Sequence, residues 1–284
     1  MKNILKTALE QRTAIPAFNI YNLEGLQAVL AACAATGKIA ILAMSGAALN
    51  YADNDFASFA TTQGWMHLDH GKTPEICKHA ISLGFKSVMI DGSSLPFEEN
   101  AALTKQVVET AHKSGVFVEA ELGTLCGIED DISNAACTYT DPQQAEKFVK
   151  MTGCDSLAIA IGTSHGAFKM KPGDTLRFDI LEETRQRLPE TPLVLHGASQ
   201  IPQQYAEIMG LENADGIPAE QIARAVKLGI NKVNVDSDAR LAWCAAMKAE
   251  FSKNLKNFDP RHYLTLAREE MKKQYIAELS SISI

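Results

Sequence analysis

Three of the seven histidines in this chain, His70, His165 and His196, each stand at or just beyond the end of a short apolar run. Neutral imidazoles gathered at one place, with a coordination position left open, are the donor set of a catalytic zinc site. Asp69 immediately precedes the first of them, and an acid there can pass protons to and from a substrate hydroxyl; its other reading is a partner that orients an imidazole. Asp91 and Glu121 close two further apolar runs. Buried carboxylates are unfavourable unless a cation accompanies them, so these two offer a second metal position or partners for the ligands. His67 competes with His70 because it shares a strand face with Asp69, but it lies deeper, and His70 is the expected ligand. Taken singly, each histidine is equally well explained as a hydrogen-bonded core or loop residue. Three together at strand ends point to a ligand set. His79, His112 and His262 fall in helical patterns and are expected on the surface. In Gly197-Ala198-Ser199 and Asn234-Val235-Asp236-Ser237, small residues let backbone N–H groups approach an anion. Gly-Ala-Ser alone fits a tight turn equally well, and its position beside His196 is what gives it weight.

The elements that must position these residues follow from hydrophobic patterning. Expected strands are Ile15–Asn19, Ile39–Ala43, Met66–Asp69, Lys86–Ile90, Val116–Glu121, Ser156–Ile161, Leu193–His196 and Lys232–Val235. Several are almost continuously apolar, as parallel strands covered by helices should be. Helical periodicity fills Leu23–Thr36, Pro74–Leu83, Glu98–Ser114, Pro142–Met151 and Ala219–Leu228, and glycines close these stretches. Eight strand–helix repeats without a low-complexity linker predict one α/β domain over residues 1–284, a closed (β/α)8 TIM barrel. An open dinucleotide-binding sheet would need G-x-G-x-x-G after the first strand, which is absent. A polar segment, Ile201–Gly216, and two C-terminal helices separated by Asn257-Phe258-Asp259-Pro260 lie outside the repeat; the last helix is a candidate oligomer contact.

Composition excludes other classes. The formal net charge is -7, and no run of Lys or Arg marks a nucleic-acid or acidic-membrane surface. An acidic protein with an anionic ligand must concentrate positive charge locally, through a metal, helix N-termini or a few basic side chains. The six cysteines are scattered without C-x-x-C and read as buried thiols in a reducing cytoplasm. Neither a signal peptide nor a run of membrane-spanning length is evident.

Pro16-Ala17-Phe18-Asn19, His67-Leu68-Asp69-His70-Gly71, Ser87 to Ser93, Glu119-Ala120-Glu121-Leu122-Gly123, Gly162-Thr163-Ser164-His165-Gly166, Leu195 to Ser199 and Asn231 to Asn234 together resemble class II fructose-bisphosphate aldolases, in order from about residue 3 to the C-terminus. The resemblance implies a homodimer or homotetramer that reversibly cleaves fructose 1,6-bisphosphate to dihydroxyacetone phosphate and glyceraldehyde 3-phosphate. It implies His70, His165 and His196 as zinc ligands, Asp91 and Glu121 at a second divalent position, and Asp69 as proton donor. Gly166, Gly197, Ala198, Ser199, Asn234, Val235, Asp236 and Ser237 match contacts to dihydroxyacetone phosphate, with a monovalent Na+ or K+ nearby. Asn19 and Ser45 match further substrate contacts, Glu129 a mobile-loop acid, and Arg261 an arginine reaching the neighbouring subunit's phosphate site. The chain departs from the pattern at Ala43, Ser94, Cys126 and Ser237, none of them a ligand or the donor. Three alternatives remain. One is a tagatose 1,6-bisphosphate aldolase. Another is an amidohydrolase-type barrel, which would want His-x-His where Ala17-Phe18-Asn19 stands. The third is a non-catalytic scaffold.

Overall fold

The computed structural model describes residues 4–125, 138–164, 166, 174–253 and 256–282, and the backbone alone of 127–129 and 132–134. The chain begins with α1 (Ile4–Gln11), β1 (Ile15–Asn19), α2 (Leu23–Thr36), β2 (Ile41–Ser45), α3 (Gly46–Thr61), β3 (Trp65–Gly71) and α4 (Pro74–Ser82). It continues through β4 (Ser87–Ile90), α5 (Phe97–Lys113), β5 (Phe117–Leu122), β6 (Gly127–Glu129), β7 (Ile132–Asn134), α6 (Pro142–Thr152) and β8 (Ser156–Ile159). Then come α7 (Phe178–Arg187), β9 (Leu193–Leu195), α8 (Gln203–Met209), α9 (Ala219–Leu228), β10 (Ile230–Val235), α10 (Ser237–Lys253) and α11 (Pro260–Ile282). Eight parallel strands close into a barrel in the order β1-β10-β9-β8-β5-β4-β3-β2, while β6 and β7 form a separate antiparallel hairpin. The expected TIM barrel with additional C-terminal helices is the fold.

Local chemistry explains where the elements differ from their sequence pattern. The second strand starts at Ile41 rather than Ile39 and runs to Ser45, whose hydroxyl accepts the Ala48 N–H at 3.1 Å and so caps α3. Helix α3 shows no continuous apolar stripe because it breaks at Asp53 (φ 63°, ψ 171°). The Asp53 carboxylate restarts it by accepting from the Asp55 and Phe56 N–H groups, each at 3.0 Å. Helix α1 hides in the sequence for another reason. It buries only Leu5 and Ala8, too few residues for a period to emerge.

Two apolar shells hold the barrel. The larger lies between the sheet and its helices and includes Phe18, Leu68, Val88, Phe148, Leu195 and Val235. A smaller cluster of Leu5, Ala8, Ile15, Ala17, Ile41 and Ala43 makes α1 the floor of the barrel. Helix α11 packs on α2 and α10, and its Tyr275 ring meets Phe18 at a centroid distance of 4.5 Å. Of the thiols, Cys77 and Cys154 are buried as expected, Cys33 is half-buried and Cys244 on α10 is exposed. Cys126 and Cys137 lie outside the described residues. Among the described residues no helix is long and apolar enough to cross a membrane.

Candidate active site

Successive residues on a strand face opposite ways, so Asp69 and His70 should not share a site. They do because β3 carries one residue more than β4 at this point. Leu68 pairs with Val88 and Gly71 with Ile90, leaving Asp69 and His70 opposite Met89 alone. His70 takes up the extra residue with a left-handed φ of 46°. A bulge of this kind re-aims side chains beside active sites, and left-handed backbone at a non-glycine costs about 1–3 kcal/mol. One ligand atom each from Asp69, His70 and His196 consequently lies within 4.8 Å of the others, and the same holds for His70, Asp91 and Glu121. His70 Nδ1 is 3.1 Å from Asp91 Oδ2 and 3.8 Å from Glu121 Oε2. The five side chains are almost wholly buried.

Three carboxylates thus surround one imidazole, and the electrostatics register the excess. Burial alone would depress the pKa of His70, but Asp69, Asp91 and Glu121 outweigh it and push it up to about 10. Burial, and next the charge of Asp91, push Glu121 well above the usual carboxylate range. Asp91 is held low by His70 against the opposing effect of burial. Burial, followed by the neighbouring His70, holds His196 below an ordinary imidazole. Glu121 Oε2 is buried without a hydrogen-bond partner among the described residues. Surplus negative charge, imidazole and carboxylate donors and a bare buried oxygen fit a divalent cation.

Asp69 is fixed from both sides. Asn19 Nδ2 donates to its Oδ2 at 3.0 Å, and Asn234 Nδ2 donates to its Oδ1 at 2.9 Å. The amide oxygens of Asn19 and Asn234 are buried without a hydrogen-bond partner among the described residues. At Gly197, with φ 64°, a Cβ would come within 2.5 Å of the Ser164 carbonyl oxygen, so this turn beside His196 requires glycine. Ser237 opens α10, and its hydroxyl reaches the Gly166 carbonyl at 3.4 Å; Asp236 is paired with Arg240 at 2.7 Å. Ala198 and Val235 bury their side chains in the outer core, which leaves them only main-chain groups to offer a ligand. Arg261 stands apart, exposed on the first turn of α11 with its guanidinium on Asp259 at 2.8 Å. His165 and the side chain of Glu129 lie outside the described residues.

The family model described as fructose-bisphosphate aldolase class-II matches residues 1–283. The chain belongs to that family. It is an aldolase, a carbon–carbon lyase, of a metal-dependent class. It is 43% identical to the fructose-bisphosphate aldolase of Treponema pallidum, covering 97% of this chain and 92% of the relative. The fructose-bisphosphate aldolase of Giardia intestinalis is 40% identical over 99% of the chain and 91% of its own length. Among solved structures, the YdjI aldolase from Escherichia coli K12 superposes with a TM-score of 0.77 at 30% identity, covering 98% of this chain and 94% of the other.

This aldolase also has a polar floor beneath the metal-binding cluster that hydrophobic patterning does not reveal. His67, the rejected candidate ligand, belongs to it. Burial, then the charge of Lys232, lower its pKa to about 3, and its ring nitrogens contact Ser87 and Lys232 rather than the ligand cluster. Lys232 is fully buried and reaches Glu119 on β5. Strands β3, β5 and β10 are not neighbours in the barrel, so these contacts cross its interior. The available signal was a lysine inside a short strand between apolar residues, Ile230 and Val233, since a buried ammonium demands a partner.

Proposed function

We propose that this aldolase is zinc-dependent and reversibly cleaves fructose 1,6-bisphosphate to dihydroxyacetone phosphate and glyceraldehyde 3-phosphate. The observation that carries the reading is the Asp69 carboxylate held among the ligand atoms of His70 and His196, all within 4.8 Å. His70 and His196, with His165, hold the zinc; Asp91 and Glu121 offer a second divalent position. Bound there, the cation supplies Lewis-acid polarisation of the ketone and balances charge left on the ketose fragment.

The chain's own residues do the rest. Asp69 takes the proton from the hydroxyl on the aldehyde-forming carbon during cleavage and returns it during condensation. Its two amide donors, from Asn19 and Asn234, keep it aimed there as an acceptor. The loops at Gly166, Gly197 to Ser199 and Asn234 to Ser237 bind the ketose phosphate, aided by the N-terminus of α10 and a monovalent cation (Na+ or K+). Ser45, which caps α3, contacts the substrate near that helix's N-terminus. Glu129 moves the proton at the enediolate carbon. Arg261, exposed on α11, would leave its Asp259 partner to reach a neighbouring subunit in a homodimer or homotetramer. The enzyme works in the cytoplasm. Parallel cleavage assays on fructose and tagatose 1,6-bisphosphates test the substrate: faster cleavage of the fructose ester is expected, and faster cleavage of the tagatose ester would overturn this choice.

A further inference from the structure

Beneath the ligand cluster the barrel interior contains a closed count of protons. Lys232 Nζ, from β10, lies 2.8 Å from Glu119 Oε2, 3.0 Å from Glu119 Oε1 and 3.0 Å from His67 Nε2. An ammonium has three hydrogens and no acceptor, so all three are used. His67 must then accept at Nε2, carry its hydrogen on Nδ1 and donate it to Ser87 Oγ at 2.9 Å. Both oxygens of Glu119 accept from Lys232, and Oε1 also lies 2.8 Å from His196 Nε2. An acceptor there requires the hydrogen of His196 to be on Nε2. A second contact gives the same answer. Asn234 Nδ2 spends one hydrogen on Asp69 and directs the other at His196 Nδ1 at 3.2 Å, so Nδ1 carries a lone pair, which a metal would take over from this hydrogen bond.

We propose that Glu119 and Lys232 are positioning residues that fix the tautomer of His196 from below, presenting its Nδ1 lone pair to the metal. This inference rests on the metal-site reading above. Lys232 holds Glu119 as a carboxylate with both oxygens accepting, Glu119 holds the Nε2 hydrogen, and His196 is left able to ligate only through Nδ1. Glutamine at position 119 has the same shape but the opposite effect. Its oxygen would turn to Lys232 and its NH2 to His196, forcing the hydrogen onto Nδ1, where it blocks coordination. Partners that orient a ligating histidine typically change metal affinity by about 10–100-fold.

The test needs no catalysis. In metal-free wild-type protein with 15N-labelled histidine, the expected spectrum shows His196 hydrogen-bearing at Nε2 and bare at Nδ1. Zinc competition against a chromophoric chelator should show Glu119→Gln binding about 10–100-fold more weakly, with its His196 resonances moved toward the other tautomer. Lys232→Arg, which keeps a donor-only cation, should retain more zinc affinity than Lys232→Met. A wild-type His196 protonated at Nδ1, or a Glu119→Gln variant matching wild-type zinc affinity, would overturn the proposal. The wild-type spectrum decides even if a variant fails to fold. Protein that shows the expected tautomer and zinc affinities yet cleaves no sugar bisphosphate would refute the functional reading while leaving this one standing.

Discussion

Asp69 sits where the ligand set meets the amides of Asn19 and Asn234, a place suited to proton transfer. Asp69→Ala should lower turnover by about 10²–10⁴-fold, the usual contribution of a general acid or base, while zinc content stays near wild type. Measuring kcat with metal content separates these effects, and unchanged turnover would remove Asp69 from the mechanism. At this scale much of the site was legible. His70, His196, Asp91 and Glu121 announced themselves as polar residues closing apolar runs, and the structure gathers them into one cluster. Lys232 did not, because its partners Glu119 and His67 are 113 and 165 residues away in sequence. A lone lysine in a strand says nothing of which carboxylate it will meet until the barrel closes. The bulge that brings Asp69 and His70 to the same side was equally hidden, since it depends on a register between two strands.

Elements, rather than single side chains, set how firmly the site is framed. Eight strands and five helices could be read from periodicity because each buries a full face. The short α1 and the broken α3 could not, one for lack of length and the other because Asp53 resets the helix midway. Helix α1 nonetheless closes the barrel floor through Leu5, which is 6% exposed. Leu5→Ala should destabilise the fold by about 2 kcal/mol, at the low end for a buried leucine because a terminal helix can relax; urea unfolding checks this. Helix α11 carries a second test. Glu278 is 1% exposed and accepts from Gln274 at 2.8 Å. Burial, and next the charge of Asp238, raise its pKa well above 4.5. An acid that holds its proton more tightly folded than unfolded makes stability fall as pH rises above its unfolded value. As pH rises above about 4.5, wild type should therefore lose more stability than Glu278→Gln. Equal slopes in urea midpoint would show that Glu278 is not the group responsible.

The whole molecule resolves the tension between its charge and its substrate. A chain of net charge -7 that gathers Asp69, Asp91 and Glu121 at the mouth of a barrel would repel a sugar bisphosphate. A divalent cation among those carboxylates offsets most of their charge, and helix N-termini at the rim add partial positive charge without adding basic residues. The barrel itself contributes rigidity, bringing donors at or just past the ends of β3, β4, β5 and β9 together at one mouth and supporting them with the Lys232 floor. The most direct test is cleavage of fructose 1,6-bisphosphate by protein stripped of metal with a strong chelator, then titrated with zinc. Turnover should fall by at least about two orders of magnitude, as loss of several kcal/mol of charge stabilisation implies, and return with one equivalent of zinc per chain. Full turnover in the rigorously stripped protein would contradict the account.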